Sequence, residues 1–146
     1  MVETGNEALD TILTEKSLTC SSVGIVLSVI ADGSALARMS AADIYSFFGN
    51  ALDNAIEAVS RLADPEQNTI SLTITRCGKM AAGNMENPYP TEPTFKDGLP
   101  QTTKADATNH GFGVRSMRAT AERYGGTLHV GAEDGVFYLN ALIPVE

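Results

Sequence analysis

The chain has 146 residues, enough for one domain with a real core, and 43% of them are hydrophobic. A formal net charge of −8, with only 10 lysines and arginines, argues against a nucleic-acid binder, because phosphate contacts need clustered basic side chains. Cys20 and Cys77 stand alone, with no second Cys or His at ligand spacing, so a zinc site is not expected and both read as reduced thiols.

The opening residues carry no signal-peptide pattern. Val23 to Ile30, the longest apolar run, is interrupted by Gly24 and Ser28 and falls far short of the ~20 residues a membrane span needs. Met1 leads almost directly into structure, as expected at the cut end of a longer protein. Thr4 or Asn6 can cap a first helix that runs to about Ser21, with Ala8, Leu9, Ile12 and Leu13 on its apolar side. Ile25 to Ile30 is a β-branched run suited to a buried strand, closed by the turn Ala31-Asp32-Gly33-Ser34.

A long helix is expected over Ser40 to Leu62. Ser40 is its cap, Asp43 forms a capping-box-like pair with it, and Met39 and Ile44 are placed to staple its first turn. Ile44, Phe48, Leu52, Ala55, Val59 and Leu62 recur at helical spacing as the stripe that faces a core. Asp64-Pro65-Glu66-Gln67-Asn68 is a loop, and Thr69 to Thr75 then alternates as a half-buried strand. Cys77-Gly78-Lys79 turns the chain into a weaker strand, Met80 to Asn87.

Regular patterning stops between Pro88 and Gly113, where Pro88, Pro90, Pro93 and Pro100 fall. A loop this long in a compact domain is a lid or binding loop, or else disorder. Because it leads into Gly111-Phe112-Gly113, it is read as a lid. Val114, Met117, Ala121 and Tyr124 then line one face of a third helix, which Gly125 stops. Gly126 to Gly131 and Val136 to Pro144 form a closing hairpin around Ala132-Glu133-Asp134-Gly135. Three helices in one layer and a mixed, mostly antiparallel sheet of about five strands in the other make an α/β (α+β) two-layer sandwich.

Two places carry chemistry. Asn50, Asn54 and Glu57 lie at i, i+4 and i+7 of the long helix, so they project from one face. Asparagine is a mediocre helix former, because its amide competes for the backbone. The spacing fits a solvated polar face, and it equally fits a row of oxygens that holds a cation such as Mg²⁺. His110-Gly111-Phe112-Gly113-Val114 opens the third helix, where the first N–H groups have no internal partner and the dipole is positive. That turn can be a lid hinge, or it can cradle a phosphate. Thr102-Thr103-Lys104 adds a lysine, which is by default a solvated loop charge. His110 abuts the glycine turn and His129 lies in a strand, so they read as ordinary lid and strand histidines.

Phe48-Gly49-Asn50-Ala51-Leu52-Asp53-Asn54-Ala55-Ile56-Glu57-Ala58 resembles the N box of the GHKL ATP-binding fold, shared by sensor histidine kinases and gyrase-type ATPases. Its wording is most similar to the quorum-sensing, Agr-type kinases. The resemblance implies that Asn54 holds the Mg²⁺ that bridges the nucleotide phosphates, with Asn50 supporting metal or phosphates. Gyrase-like relatives have a glutamate base at the Asn50 position. An amide cannot take a proton from water, so a dedicated ATPase is disfavoured. Gly111, Gly113 and the Val114 backbone resemble the G2 box that cradles phosphates. Lys104, preceded by Thr103, matches the lysine sent to the terminal phosphates, and Phe95 resembles the phenylalanine of the lid. The Asp-x-Gly-x-Gly of the G1 box has no match. Asn87 in Glu86-Asn87-Pro88-Tyr89 is the candidate by position to accept from the adenine amino group, and Asp97-Gly98 is its rival.

Taken whole, the resemblance implies a Bergerat-type fold that binds ATP with Mg²⁺. It makes residues 1–146 a single catalytic domain of a longer membrane-bound kinase, placed in the cytoplasm, with 88–113 as the ATP lid. The γ-phosphoryl group would pass to the phosphoacceptor histidine domain of the parent kinase and then to a response regulator. A serine kinase of the anti-sigma-factor type and a non-catalytic nucleotide-sensing or protein-binding module are the alternatives.

Overall fold

The computed structural model describes residues 2–62, 66, 68–89, 95–96, 99–100 and 112–146. Helix α1 (Glu7–Ser22) starts at Asn6, whose side chain accepts from the Leu9 amide. Strand β1 (Val26–Ala31) follows, then a 3₁₀ turn (Gly33–Leu36) capped by Asp32. Helix α2 (Ala41–Ser60) leads to β2 (Thr69–Cys77) and β3 (Met80–Pro88). A two-residue ribbon, β4 (Phe95–Lys96) and β5 (Leu99–Pro100), precedes α3 (Phe112–Arg123), β6 (Thr127–Glu133) and β7 (Val136–Pro144).

The sheet order is β1-β2-β3-β7-β6, with β1 parallel to β2 and every other pair antiparallel. Register places Val29, Leu72, Met85, Leu139 and Val130 in one row across all five strands. These residues belong to or pack against the core, on the face that the helices cover. The neighbouring row, Ser28, Ser71, Glu86, Tyr138 and Gly131, lies on the opposite face. The fold is therefore the expected mixed five-strand sheet with three helices in a second layer.

The two β-hairpins follow their turn chemistry. Gly78 (φ 61°) joins β2 to β3, and Asp134 (φ 51°) with Gly135 (φ 77°) joins β6 to β7. An Asp-Gly pair with both φ positive makes the primed turn that suits twisted strands.

Some expectations need correction. The β1 run is not buried on both sides: it is an edge strand, with Val26 and Ile30 turned outward at 54% and 71% exposure. The buried arc of α2 is wider than the six-residue stripe and adds Phe47, Ala51 and Ala58, because α1 and α3 flank it on both sides. The capping box is half made. Ser40 Oγ accepts from the Asp43 N–H at 3.1 Å, but the Ser40 N–H donates to the Tyr124 hydroxyl at 3.0 Å instead of to the Asp43 carboxylate. The 88–113 segment, expected to be patternless, contains the β4–β5 ribbon. In the loop after α2, residues 63–65 and 67 lie outside the described residues.

Candidate functional site

The site is built on α2, which packs against both other helices. Leu52 and Ala55 anchor its underside in the core at 0% and 2% exposure, which fixes the rotation of the helix. That rotation presents Asn50 and Asn54, one turn apart and half-buried, toward the start of α3. No hydrogen bond to either side-chain amide is formed among the described residues. Glu57, third in the row, is held by Arg61 one turn on, at 2.7 Å, so the row divides into two open amides and one paired carboxylate.

Gly113 faces the two asparagines. A Cβ built on it would lie 3.5 Å from Asn54 Nδ2, 3.8 Å from Asn54 Oδ1 and 3.8 Å from Asn50 Cβ. The missing side chain leaves the backbone of the first α3 turn directly beside the amides. That turn has N–H groups without intrahelical partners, at the positive end of the helix. Val114, 2% exposed, drives this turn into the core, and Met117 and Ala121 continue the anchor at 1% and 0%. The structure thus brings together Asn50, Asn54, Gly113 and the Val114 backbone.

Asn87 is placed by β3, on the helix-covered face beside Phe137 of β7. It is 2% exposed and its Nδ2 donates to the Pro88 carbonyl at 2.8 Å. That donation identifies the nitrogen and leaves Oδ1 as an acceptor with no donor among the described residues. Phe95 is in β4, its backbone paired with Pro100. Thr103, Lys104, Gly111, the rival Asp97 and His110 lie outside the described residues. His129 is exposed on β6, next to Asn140 and on the sheet face away from the helices.

One charged residue escaped the sequence reading. Arg115 is exposed in the first turn of α3, two residues past Gly113, and has no carboxylate partner among the described residues. A cation there opposes the helix dipole, at a cost of roughly 0.3–1 kcal/mol, unless an anion sits nearby. An arginine just inside a helix start was the available signal. Cys20 is buried, which pushes its thiol pKa up despite the neighbouring Lys16, so it is inert.

Among the described residues no group of three His, Cys, Asp or Glu could hold a metal ion. A lone amide oxygen such as that of Asn54 suits a hard cation that takes its remaining ligands from water and phosphate, which is the habit of Mg²⁺. The residues present therefore fit a metal carried in with a nucleotide.

Solved structures share this architecture. The catalytic domain of histidine kinase ThkA superposes with a TM-score of 0.69 at 16% identity, covering 97% of this chain and 93% of that one. Histidine kinase AdeS of Acinetobacter baumannii gives 0.64 at 13%, over 95% of this chain and 64% of its own. The histidine kinase domain of the blue-light activated kinase from Erythrobacter litoralis gives 0.65 at 16%, over 94% and 59%. This chain therefore spans less than two thirds of those last two proteins. No curated protein sequence matches it. The fold is that of histidine kinase catalytic domains. The GHKL domain family matches residues 39–144, and the chain belongs to it.

Proposed function

We propose that this domain binds Mg-ATP between α2, α3 and the 88–113 segment, and donates the γ-phosphoryl group to a histidine on a separate phosphoacceptor domain. The observation that carries this reading is the pair of amides, Asn50 and Asn54, unengaged among the described residues and set against Gly113 at the start of α3. A glycine between two amides and a helix N-terminus leaves room for phosphate oxygens.

Each residue then has a task. Asn54 offers the oxygen that ligates Mg²⁺, and Asn50 orients the metal or the phosphates. Mg²⁺, when bound, neutralises phosphate charge. The amides of Gly111, Gly113 and Val114, with Lys104 behind Thr103, stabilise the charge that builds on the transferring group. Asn87 Oδ1 accepts from the adenine amino group, and Phe95 belongs to the lid. In the transfer, the bond from the γ-phosphorus to the bridging oxygen breaks and a bond to an imidazole nitrogen forms. The imidazole loses its proton and ADP leaves. His129 lies exposed on the sheet face away from the helices, which agrees with an acceptor carried by a separate domain. A membrane-bound parent of the Agr type, a cytoplasmic position, residues 1–146 as one catalytic domain with 88–113 as its lid, and a response regulator downstream complete the proposal.

Thermal unfolding with Mg-ADP, Mg-ATP and Mg-GTP tests it. A ligand at 100 times its Kd that binds only the folded state adds about 2.7 kcal/mol. A magnesium-dependent shift with adenine nucleotides alone is expected, and its absence at millimolar nucleotide sinks the reading. Transfer to added phosphoacceptor helices then separates a histidine kinase from a serine kinase or a nucleotide sensor.

A further inference from the structure

Helices α2 and α3 run antiparallel, and they touch at two places far apart along their lengths. At one, Gly113 meets Asn50 and Asn54. At the other, the last turn of α3 meets the first turn of α2 through a connected set of polar groups. The Tyr124 hydroxyl accepts from the Ser40 N–H at 3.0 Å and donates to Asp43 Oδ2. Arg123 Nη2 reaches Asp43 Oδ1 at 2.9 Å. The guanidinium carbons of Arg38 and Arg123 lie 5.8 and 5.9 Å from the centre of the Tyr124 ring. Arg38 also donates to the Tyr124 and Glu146 carbonyls, each at 3.2 Å.

From Asp43 to Asn54 and from Arg123 back to Gly113, the helices climb similar distances, on the order of 15 Å at ~1.5 Å per residue. The two contacts therefore share one ruler. Val114, Met117 and Ala121 hold α3 against the core, but apolar packing tolerates sliding along the axis better than directional hydrogen bonds do. The Tyr124 hydroxyl is the only one of these polar atoms that bonds to both the backbone and the carboxylate of the α2 start.

We infer that Tyr124 is a positioning residue for the nucleotide site: through Ser40 and Asp43 it sets the axial register of α3 on α2, and so the placement of Gly113 against Asn50 and Asn54. The part that concerns nucleotide rests on the function proposed above. The part that concerns register stands without it. No atom of Tyr124 needs to touch ligand, because a slip of one helical residue moves the α3 start by about 1.5 Å.

Tyr124→Phe keeps the ring and its cation contacts and deletes only the hydroxyl. The readout is a ¹H–¹⁵N correlation spectrum of the Gly113 amide and the Asn54 side-chain NH₂, compared with Val29→Ala, a destabilising change on β1 away from this contact. The Gly113 and Asn54 signals are expected to move in Tyr124→Phe and to stay in place in Val29→Ala. Asp43→Asn, an independent break in the same chain of bonds, is expected to move the same signals. Mg-ADP titration should show affinity roughly tenfold weaker in Tyr124→Phe, and unchanged in Val29→Ala. Unmoved signals in Tyr124→Phe overturn the inference. Wild-type protein that fails to bind nucleotide defeats the proposed function instead, and the spectra still decide the register.

Discussion

Gly113→Ala separates stability from function, because the two should change in opposite directions. The added methyl carbon would sit 3.5 Å from Asn54 Nδ2 and 3.8 Å from Asn50 Cβ, which is ordinary contact without a clash. The position lies inside α3, where alanine is favoured over glycine by roughly 0.5–1 kcal/mol. In a chain of this size each kcal/mol moves Tm by roughly 2–4 °C, so the free domain should melt about 1–4 °C higher. The same methyl occupies the space beside Asn54 that a phosphate would fill. Nucleotide affinity should therefore fall at least tenfold, which is about 1.4 kcal/mol of binding free energy. Melting with and without Mg-ADP, with calorimetric titration of both proteins, reads both numbers. A variant that melts lower, or one that binds Mg-ADP as tightly as wild type, would refute the reasoning that Gly113 is kept open for ligand.

Three further outcomes are expected. Asn54→Ala should lose magnesium-dependent nucleotide binding while stability stays within about 0.5 kcal/mol, since it leaves no partner unpaired; affinity equal to wild type, with and without a chelator, removes Asn54 from the metal site. Asn87→Ala should lose the bond to the Pro88 carbonyl, at a cost of about 1–2 kcal/mol, together with the preference for ADP over GDP; if that preference survives, Asp97 becomes the reader of adenine. The Arg123 guanidinium, then the Tyr124 hydroxyl, with Ser40 adding a smaller pull, hold the Asp43 carboxyl below its ordinary range against a small opposing effect of burial. Its contribution to stability is therefore complete above the unfolded carboxylate value of about 3.9, and is lost as the pH falls from there through the lower folded value. Denaturant midpoints between pH 5 and pH 2 should fall less steeply in Asp43→Asn than in wild type, and parallel curves would defeat the assignment.

Local rules made much of the fold legible. Ser40 and Asn6 announce their helices because caps act within three residues. The Asp134-Gly135 turn follows from backbone sterics alone. The burial of β1 was not readable in the same way: a β-branched run fits a strand covered on both faces as well as one with an open face, and only the layer arrangement tells them apart. Phe47 was missed for a similar reason, since a helix packed on two sides buries more than the one stripe periodicity selects. At the site, the Asn50 and Asn54 spacing showed shared orientation but not what they face. Gly113, about sixty positions away, supplies that. Asp43 looked like half of a capping box because nothing nearby in sequence announces Arg123 and Tyr124, its partners across the domain.

The middle of the sheet joins segments that are made at very different times. The β2–β3 hairpin and the β6–β7 hairpin are each closed by a two-residue turn and can zip within microseconds. The β3–β7 seam between them pairs Pro88 with Val136 and Met80 with Pro144. During synthesis at ~5–20 residues per second, β3 must wait several seconds with one ladder edge open before its partner emerges. Chains interrupted in that interval carry an unpaired central strand instead of a blunted outer one, and are the species for which a chaperone would matter most. For this domain, the hazard of aggregation lies in the nascent chain before the last strand arrives.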